Sequence, residues 1–509
     1  MKASLQLVSV ALAMAAGTGA AADWPQFGQW GSRNMVSPEK GLPDGFDPKS
    51  GTNVKWAADL GTVCYVTPVV AGGRVFIGTN NRVPRDPRIT DDRGILLALD
   101  EATGKFLWQL AVPKLKSPIA SDTGQHGFFA TPTIEGDRLY VVTNRCEVVC
   151  LDTAGMANGN DGLFKDEARY LADAWPGPFR LNLKPIEPGP GDADIVWRYD
   201  MIAGLGVRPQ DGSNGSPLVV GDYVYVCTSN GTDVSQEKVA NPQAPSLIVL
   251  DKKTGALVAK DDFGIGGGIV HGQWSSPATG QVDGKPLIVF GAGNGVCYGF
   301  RPVEPAANGK VPPAVEALWS FDCDRQRRAA GPASPWHRQD TRGTTGIVGC
   351  PVLVDGRVYV AAGGDPWHGI REAQLNCLTA SGRGDTTKSA EAWSYEIGAA
   401  GISTPAIADG LAYITDCAGR VHCVDAATGK VCWTHQERGE IWASPLVADG
   451  KVYTGTRKGV FLVFAAGREK KVLNRIELAD SISATPVAAN GVLYVATSKM
   501  LYALRQGGR

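Results

Sequence analysis

The chain has almost no net charge: 50 Lys and Arg stand against 51 Asp and Glu, a formal balance of −1 over 509 residues. Without a basic excess there is no electrostatic case for nucleic acid, and without a field of one sign there is none for any other polyelectrolyte. Catalytic motifs are missing as well. The sequence contains no His-Glu-x-x-His zinc helix, no Gly-x-Ser-x-Gly elbow and no phosphate-binding Gly-Lys-Ser/Thr loop. Gly264 to Gly268 is glycine-rich, but no amphipathic helix follows to hold a phosphate. Two adjacent cysteines occur nowhere, and neither does the Cys-x-x-Cys-His of a covalent haem.

The apolar run Leu5 to Ala16 is about a dozen residues, too short to span a bilayer. Preceded by Lys2 and followed by Ala20-Ala21-Ala22, it reads as an export signal cleaved near Ala22, so the mature chain starts near Asp23. The protein is therefore expected to be periplasmic or extracellular. It is expected to be soluble after cleavage, without a membrane span, and monomeric. Eleven cysteines in an exported chain suggest a disulfide framework, but most lie on apolar strands as small core residues. Cys64, Cys146, Cys323 and Cys350, nearer strand ends, are the better candidates for pairing.

What the chain has in abundance is turns: 64 glycines and 32 prolines. Ile402 to Trp433 shows their use. Ser403-Thr404-Pro405 opens a short apolar run, Asp409-Gly410 turns it, and Leu411 to Thr415 returns. Ala418-Gly419 turns again before Arg420 to Val424, and Asp425 to Gly429 leads to Trp433. Four strands this short cannot bury their faces alone and must stack on copies of themselves. Eight Ser/Thr/Cys-Pro starts supply the copies, at Pro68, Pro132, Pro217, Pro277, Pro351, Pro405, Pro445 and Pro486. The eighth unit stops one strand short at Leu504, while Val54 to Trp56 is a strand with no unit of its own. An N-terminal strand that completes the last unit closes the ring and removes its edges. The expected fold is thus all-β: an eight-bladed β-propeller of four-stranded antiparallel blades over residues 54–509, after a signal peptide (1–22) and an N-terminal arm (23–53).

The repeat, Ser/Thr-Pro, then Gly-x-Val-Tyr-Val, then Asp-x-x-Thr-Gly-x-x-x-Trp, resembles that of the pyrroloquinoline-quinone-like propellers. This family includes quinoprotein alcohol dehydrogenases and BamB-type assembly factors. Trp24 to Phe27, Gly159 to Gly162 and His271 to Pro277 are similar to an exported bacterial subgroup of it. For a dehydrogenase the resemblance implies a Ca²⁺-bound quinone held by carboxylate and amide oxygens, an Asp base, a Trp floor and an adjacent-cysteine disulfide. The missing cysteine pair departs from that pattern. The expected function is a non-catalytic binding or scaffold module for a protein or small ligand at the cell envelope, with no cofactor; a quinone (PQQ)- and Ca²⁺-dependent alcohol or sugar dehydrogenase is the alternative.

Strand order puts the loops that enter first strands, and those that join second to third strands, on one face of the ring. His126, His271, Trp274, His337, His368, Glu440 and Trp442 fall there, together with insertions such as Asp324 to Thr345. Loops on a rigid scaffold concentrate binding, so these seven residues are the candidate site at the channel mouth. No catalytic residue or metal ligand is assigned, and the spacing of the histidines does not favour zinc. The Asp152 to Asp161 loop is rich in side-chain oxygens but breaks the spacing of a calcium-binding EF-hand, so it reads as a plain insertion. Phe164 to Ala174 is expected to form a short helix with Phe164, Ala168 and Leu171 on one face.

Overall fold

Eight antiparallel four-stranded blades follow one another around a central channel in the computed structural model. It describes residues 22–115, 126–173, 184–306, 309–325, 328, 345–364 and 372–508. Nearly all of the expected export signal, residues 1–22, lies outside the described residues. In each blade the innermost strand lines the channel. These strands are Val69–Ala71, Thr133–Glu135, Leu218–Val220, Ala278–Val282, Val352–Val354, Ala406–Ala408, Leu446–Ala448 and Val487–Ala489. Val54–Asp59 pairs antiparallel with Met500–Leu504, with Trp56 opposite Ala503. The N-terminal strand therefore completes the eighth blade and closes the ring, as the arithmetic of the repeats required.

The Asp-x-x-Thr-Gly turns are built alike. In blade 6, Asp425 Oδ1 accepts hydrogen bonds from the Thr428 N–H at 2.9 Å and its hydroxyl at 2.8 Å. Gly429 follows at φ +71°, where a side chain would be strained. A Cβ there would also stand 2.6 Å from Trp393 of the preceding blade. That close approach reveals what the tryptophans do. Each outer strand carries a one-residue bulge just before the Trp slot, which aims the ring at the next blade. Trp56, Trp108, Trp197, Trp393 and Trp433 then donate Nε1–H to a carbonyl of that blade's third-to-fourth strand turn, at 2.9–3.1 Å. Burying a ring of about 200 Å² at ~25 cal/mol per Å² is worth ~5 kcal/mol before entropy, so these latches are large terms. Trp319 is the exception, packed over Gly299 of its own blade. Blade 5 compensates by laying Gly384–Asp385 parallel to Trp319 and Ser320.

All eleven cysteines are described and none is in a disulfide. The pairing candidates fail for physical reasons. Cys64 and Cys146 are fully enclosed, and burial pushes each thiol up to about 12. The Cys146 thiol bonds the Thr228 carbonyl at 3.4 Å, Cys323 is wholly buried, and Cys350 occupies a repeat slot described below. The short helix spans Glu167–Ala172 and buries Glu167, Tyr170, Leu171 and Ala172; Leu171 faces inward as expected, Ala168 is half-buried, and Phe164 precedes the helix and packs against the core. The buried Tyr170 hydroxyl, which donates to Glu147 Oε2 at 2.8 Å, sets that orientation.

The arm is the largest surprise. Residues 24–37 cross the channel on the face opposite the expected mouth and touch every inner strand. Trp24 exchanges two backbone hydrogen bonds with Val70, and the Pro25 carbonyl accepts from Ile134 N–H. The carbonyls of Gly31, Ser32 and Met35 accept from the N–H groups of Thr279, Leu353 and Val447. Asn34 bonds both backbone groups of Ile407, and Ser37 Oγ donates to the Ala488 carbonyl. Blade 3 is reached by Arg33, whose side chain is wholly buried. Its guanidinium donates to the carbonyls of Ser216, Pro217, Pro277 and Phe27 at 2.9–3.1 Å. Burial lowers its pKa to about 10, so it remains a cation.

Arg33→Ala strands four carbonyls and should lower stability by on the order of 3 kcal/mol or more, with Arg33→Lys recovering part of it. The midpoint of guanidinium unfolding measures this, and an unchanged midpoint for Arg33→Ala would refute the clasp. Asp425 is held down to about 2, chiefly by its hydrogen bond from Arg468 and then by Thr428. Its stabilising contribution is therefore present above pH ~4 and lost as pH falls towards 2. Asp425→Asn should flatten that part of a melting-temperature profile against pH.

Candidate functional site

With its base crossed by the arm, the channel opens at one end, and two stacked rings of side chains line that mouth. The lower ring consists of the residues that precede the eight prolines: Thr67, Thr131, Ser216, Ser276, Cys350, Thr404, Ser444 and Thr485. Six of their hydroxyls accept a backbone N–H of the adjacent unit. The N–H of Thr67 donates to Thr131 Oγ1, Ser216 to Ser276, Cys350 to Thr404, Thr404 to Ser444, Ser444 to Thr485, and Thr485 back to Thr67, at 2.7–3.2 Å. Cys350 presents a thiol, a weak acceptor, where Ser276 would look for its partner. Thr133 spans the junction of blades 2 and 3 by donating to the Pro217 carbonyl at 2.6 Å.

The upper ring comes from the position two residues earlier in every unit: Tyr65, Phe129, Asn214, Trp274, Val348, Ile402, Trp442 and Ser483. With Phe27 of the arm, the two rings enclose a cavity of about 150 Å³. Its aromatic wall is ordered. Tyr65 stacks on Phe129 with centroids 5.2 Å apart and planes 11° apart, and on Trp442 at 5.9 Å and 27°. Ser483 of blade 8, lying between them in ring order, leaves room for Trp442 to reach Tyr65. The Arg457 guanidinium stands 3.9 Å from the Trp442 ring, close enough for a cation–π contact. Glu440 holds both, accepting from Trp442 Nε1 at 2.9 Å and Arg457 Nη1 at 3.1 Å.

Of the residues expected from sequence, Trp274 and Trp442 line the cavity. His126 stands behind the aromatic wall, edge-on to Phe129 at 5.5 Å and to Tyr65 at 6.1 Å. His271 meets Trp274 edge-on at 5.0 Å, with Nε2 3.4 Å from Asp211. Glu440 is exposed beside Trp442. His337 and His368 lie outside the described residues. Sequence reasoning missed Tyr65, Phe129, Phe27 and Arg457. For Tyr65 and Phe129 the signal was available: each stands three residues before the proline of its unit, the slot that Trp274 and Trp442 fill in theirs. A buried network elsewhere, His422 Nε2 to Asp416 at 3.0 Å and Nδ1 to the Tyr395 hydroxyl at 3.1 Å, ties blade 5 to blade 6. It does not reach the mouth.

The fold and its repeat define an eight-bladed propeller of the pyrroloquinoline-quinone-like class. More narrowly, the sequence profile of the family described as outer membrane protein assembly factor BamB matches residues 44–297 and 316–509, and the chain belongs to that family. None of the curated proteins compared matches it in sequence. Among solved structures, BamB from Moraxella catarrhalis is 13% identical at a TM-score of 0.50, covering 88% of this chain and 96% of that one. The quinohemoprotein alcohol dehydrogenase from Comamonas testosteroni is 12% identical at a TM-score of 0.58, covering 96% and 81%. A europium-containing methanol dehydrogenase is 14% identical at 0.50, covering 94% and 89%. At such identities these likenesses speak for the fold alone.

A quinone with its Ca²⁺ does not fit the described mouth. Among the described residues lining the cavity there is no carboxylate to hold a divalent ion or to take a proton from an alcohol, and no imidazole. The one cysteine there has no sulfur partner. Incubation of the purified protein with the quinone and Ca²⁺ should leave it without quinone absorbance after desalting and without dye-linked alcohol oxidation. Gain of both would overturn this reading.

Proposed function

We propose that the protein is an exported, monomeric, non-catalytic propeller that acts at the cell envelope. Its channel mouth binds a protein segment or small ligand whose buried part is apolar and uncharged. The observation that carries this is the upper ring: four of its eight members are aromatic, and three of those are stacked into one wall. Aromatic faces in a concave, largely neutral site bind by area and shape. The absence of carboxylates and imidazoles from the described lining supports binding without proton transfer. Membership in the BamB family supports a protein partner, and no helix among the described residues is long and apolar enough to cross a membrane. Export with cleavage near Ala22 and the single-propeller layout of residues 54–509 belong to the same reading.

Peptide selection on the immobilised full-length protein tests it, with affinities of the selected peptides followed by tryptophan fluorescence. The Tyr65→Ala/Trp442→Ala double variant should bind them at least about tenfold more weakly, a loss of ~1.4 kcal/mol, while keeping its thermal midpoint. Selected peptides that bind the double variant equally well would exclude the mouth as the site.

A further inference from the structure

The insertion between the third and fourth strands of blade 2 contains a second cluster that the channel does not explain. Asp152 ends the third strand, Asp161 lies in the Gly159 to Gly162 loop, and Asp194 immediately precedes the fourth strand. One carboxylate oxygen from each lies within 4.8 Å of the others. Two ligands on opposite sides of a calcium ion, each at about 2.4 Å, are separated by that distance. Sequence spacing hid the arrangement, because Asp194 arrives from the far end of the insertion, more than thirty positions after Asp161.

The buried polar atoms supply an independent sign. Asp194 is wholly buried, yet its Oδ1 has no hydrogen-bond partner among the described residues. Its other oxygen receives only a 3.5 Å contact from the Asp161 N–H. Glu167 is 3% exposed and its Oε1 is likewise without a partner. A folded protein that buries a carboxylate against two others and leaves its oxygen unanswered lacks a counter-charge. Arg138 pairs with Asp152 Oδ2 at 2.7 Å, and Lys165 bonds the carbonyl and side-chain oxygens of Asn160; among the described residues neither forms an ion pair with Asp194.

We infer that Asp152, Asp161 and Asp194 form a calcium site that fastens the blade 2 insertion to the end of its outer strand. The three-residue set is all hard oxygen, with no imidazole or thiolate to select zinc or copper. Asn158 and Asn160 border it through their amide nitrogens: Asn158 Nδ2 is 3.4 Å from Asp152 Oδ2, and Asn160 Nδ2 donates to Glu167 at 2.8 Å. A loop with glycines at 155, 159 and 162 suits the irregular shell of calcium better than the strict octahedron of magnesium. Gly162 packs where a Cβ would stand 2.4 Å from Val196, so the loop is already seated on the strand.

Calorimetric titration of the EDTA-treated full chain with CaCl₂, paired with thermal melting, tests the site. One calcium per chain should bind with Kd below ~1 mM, the range of extracellular calcium modules, and raise the melting temperature. Asp161→Asn, at an exposed position, should weaken binding at least tenfold. Asp194→Asn should abolish the calcium-dependent rise yet melt at or above the wild type in EDTA, because it removes an unanswered buried charge. The inference fails if no stoichiometric calcium binds, if both variants bind like wild type, or if magnesium binds as tightly. It also fails if Asp194→Asn loses as much stability in EDTA as in calcium, for the carboxylate would then serve the fold and not a metal.

Discussion

Everything in this propeller depends on satisfying the polar edges of eight inner strands that face one another across a narrow channel. Each such strand has a neighbour on one side only, so its lumen-facing N–H and C=O groups would be left without partners in a space that side chains fill. Two devices answer them. At the mouth, the hydroxyls of the lower ring join one blade to the next and carry the chain of bonds across the seam from Thr485 to Thr67. At the base, the arm bonds all eight blades, with the Arg33 side chain reaching blade 3 through Ser216 and Pro217 and adding a bond to Pro277 of blade 4. A buried cation held only by carbonyl dipoles is costly to desolvate. Four charge-assisted hydrogen bonds in fixed fork geometry are what offset that cost here.

The periodic part of this design was legible in the chain. Pro405, Pro445 and Pro486 set the repeat, Asp425 to Gly429 its outer turn, and Trp56 the strand that closes the ring, because each position has one local mechanical task. The arm was not legible. Its contacts involve residues that repeat nowhere, such as Arg33 and Asn34, and they acquire meaning only when eight distant strands converge on one axis. The cysteines illustrate the converse error. Cys350 sits near a strand end like a pairing cysteine, yet it fills a slot that Ser or Thr fills in the other seven units. The histidines drew attention by rarity, whereas the structure uses His126 to back the aromatic wall, His271 to pack against Trp274 and His422 to join two blades.

The two ends of the channel differ in consequence. Closing the base with the arm converts a hole through the ring into a cup whose floor includes Phe27. A cup binds from one direction and can desolvate what enters it; an open channel would stay wet. The outer latches make the cup rigid. Five tryptophans fix the angle at five of the eight blade junctions, and at the junction where Trp319 packs on its own blade the parallel Gly384–Asp385 pairing takes over. A rigid wall loses little conformational entropy when a ligand stacks on it, so more of the buried area appears as affinity.

Eight repeats in one chain act as an internal comparison, and the two rings give opposite results. The lower ring reads Thr, Thr, Ser, Ser, Cys, Thr, Ser, Thr around the axis. Its side chains must accept from the neighbouring backbone, so its chemistry is nearly uniform. The upper ring reads Tyr, Phe, Asn, Trp, Val, Ile, Trp, Ser, although the same backbone presents it at the same depth. The scaffold imposes no common residue there, and the aromatics group on blades 7, 1 and 2 with a small serine between them. Variation at a position with no shared mechanical task, organised into one stacked wall, is the pattern expected of a surface shaped by what it binds. The same reasoning separates the blade 2 insertion from the rest of the scaffold, since Asp161 and Asp194 have no counterpart in an undecorated unit such as Ile402 to Trp433.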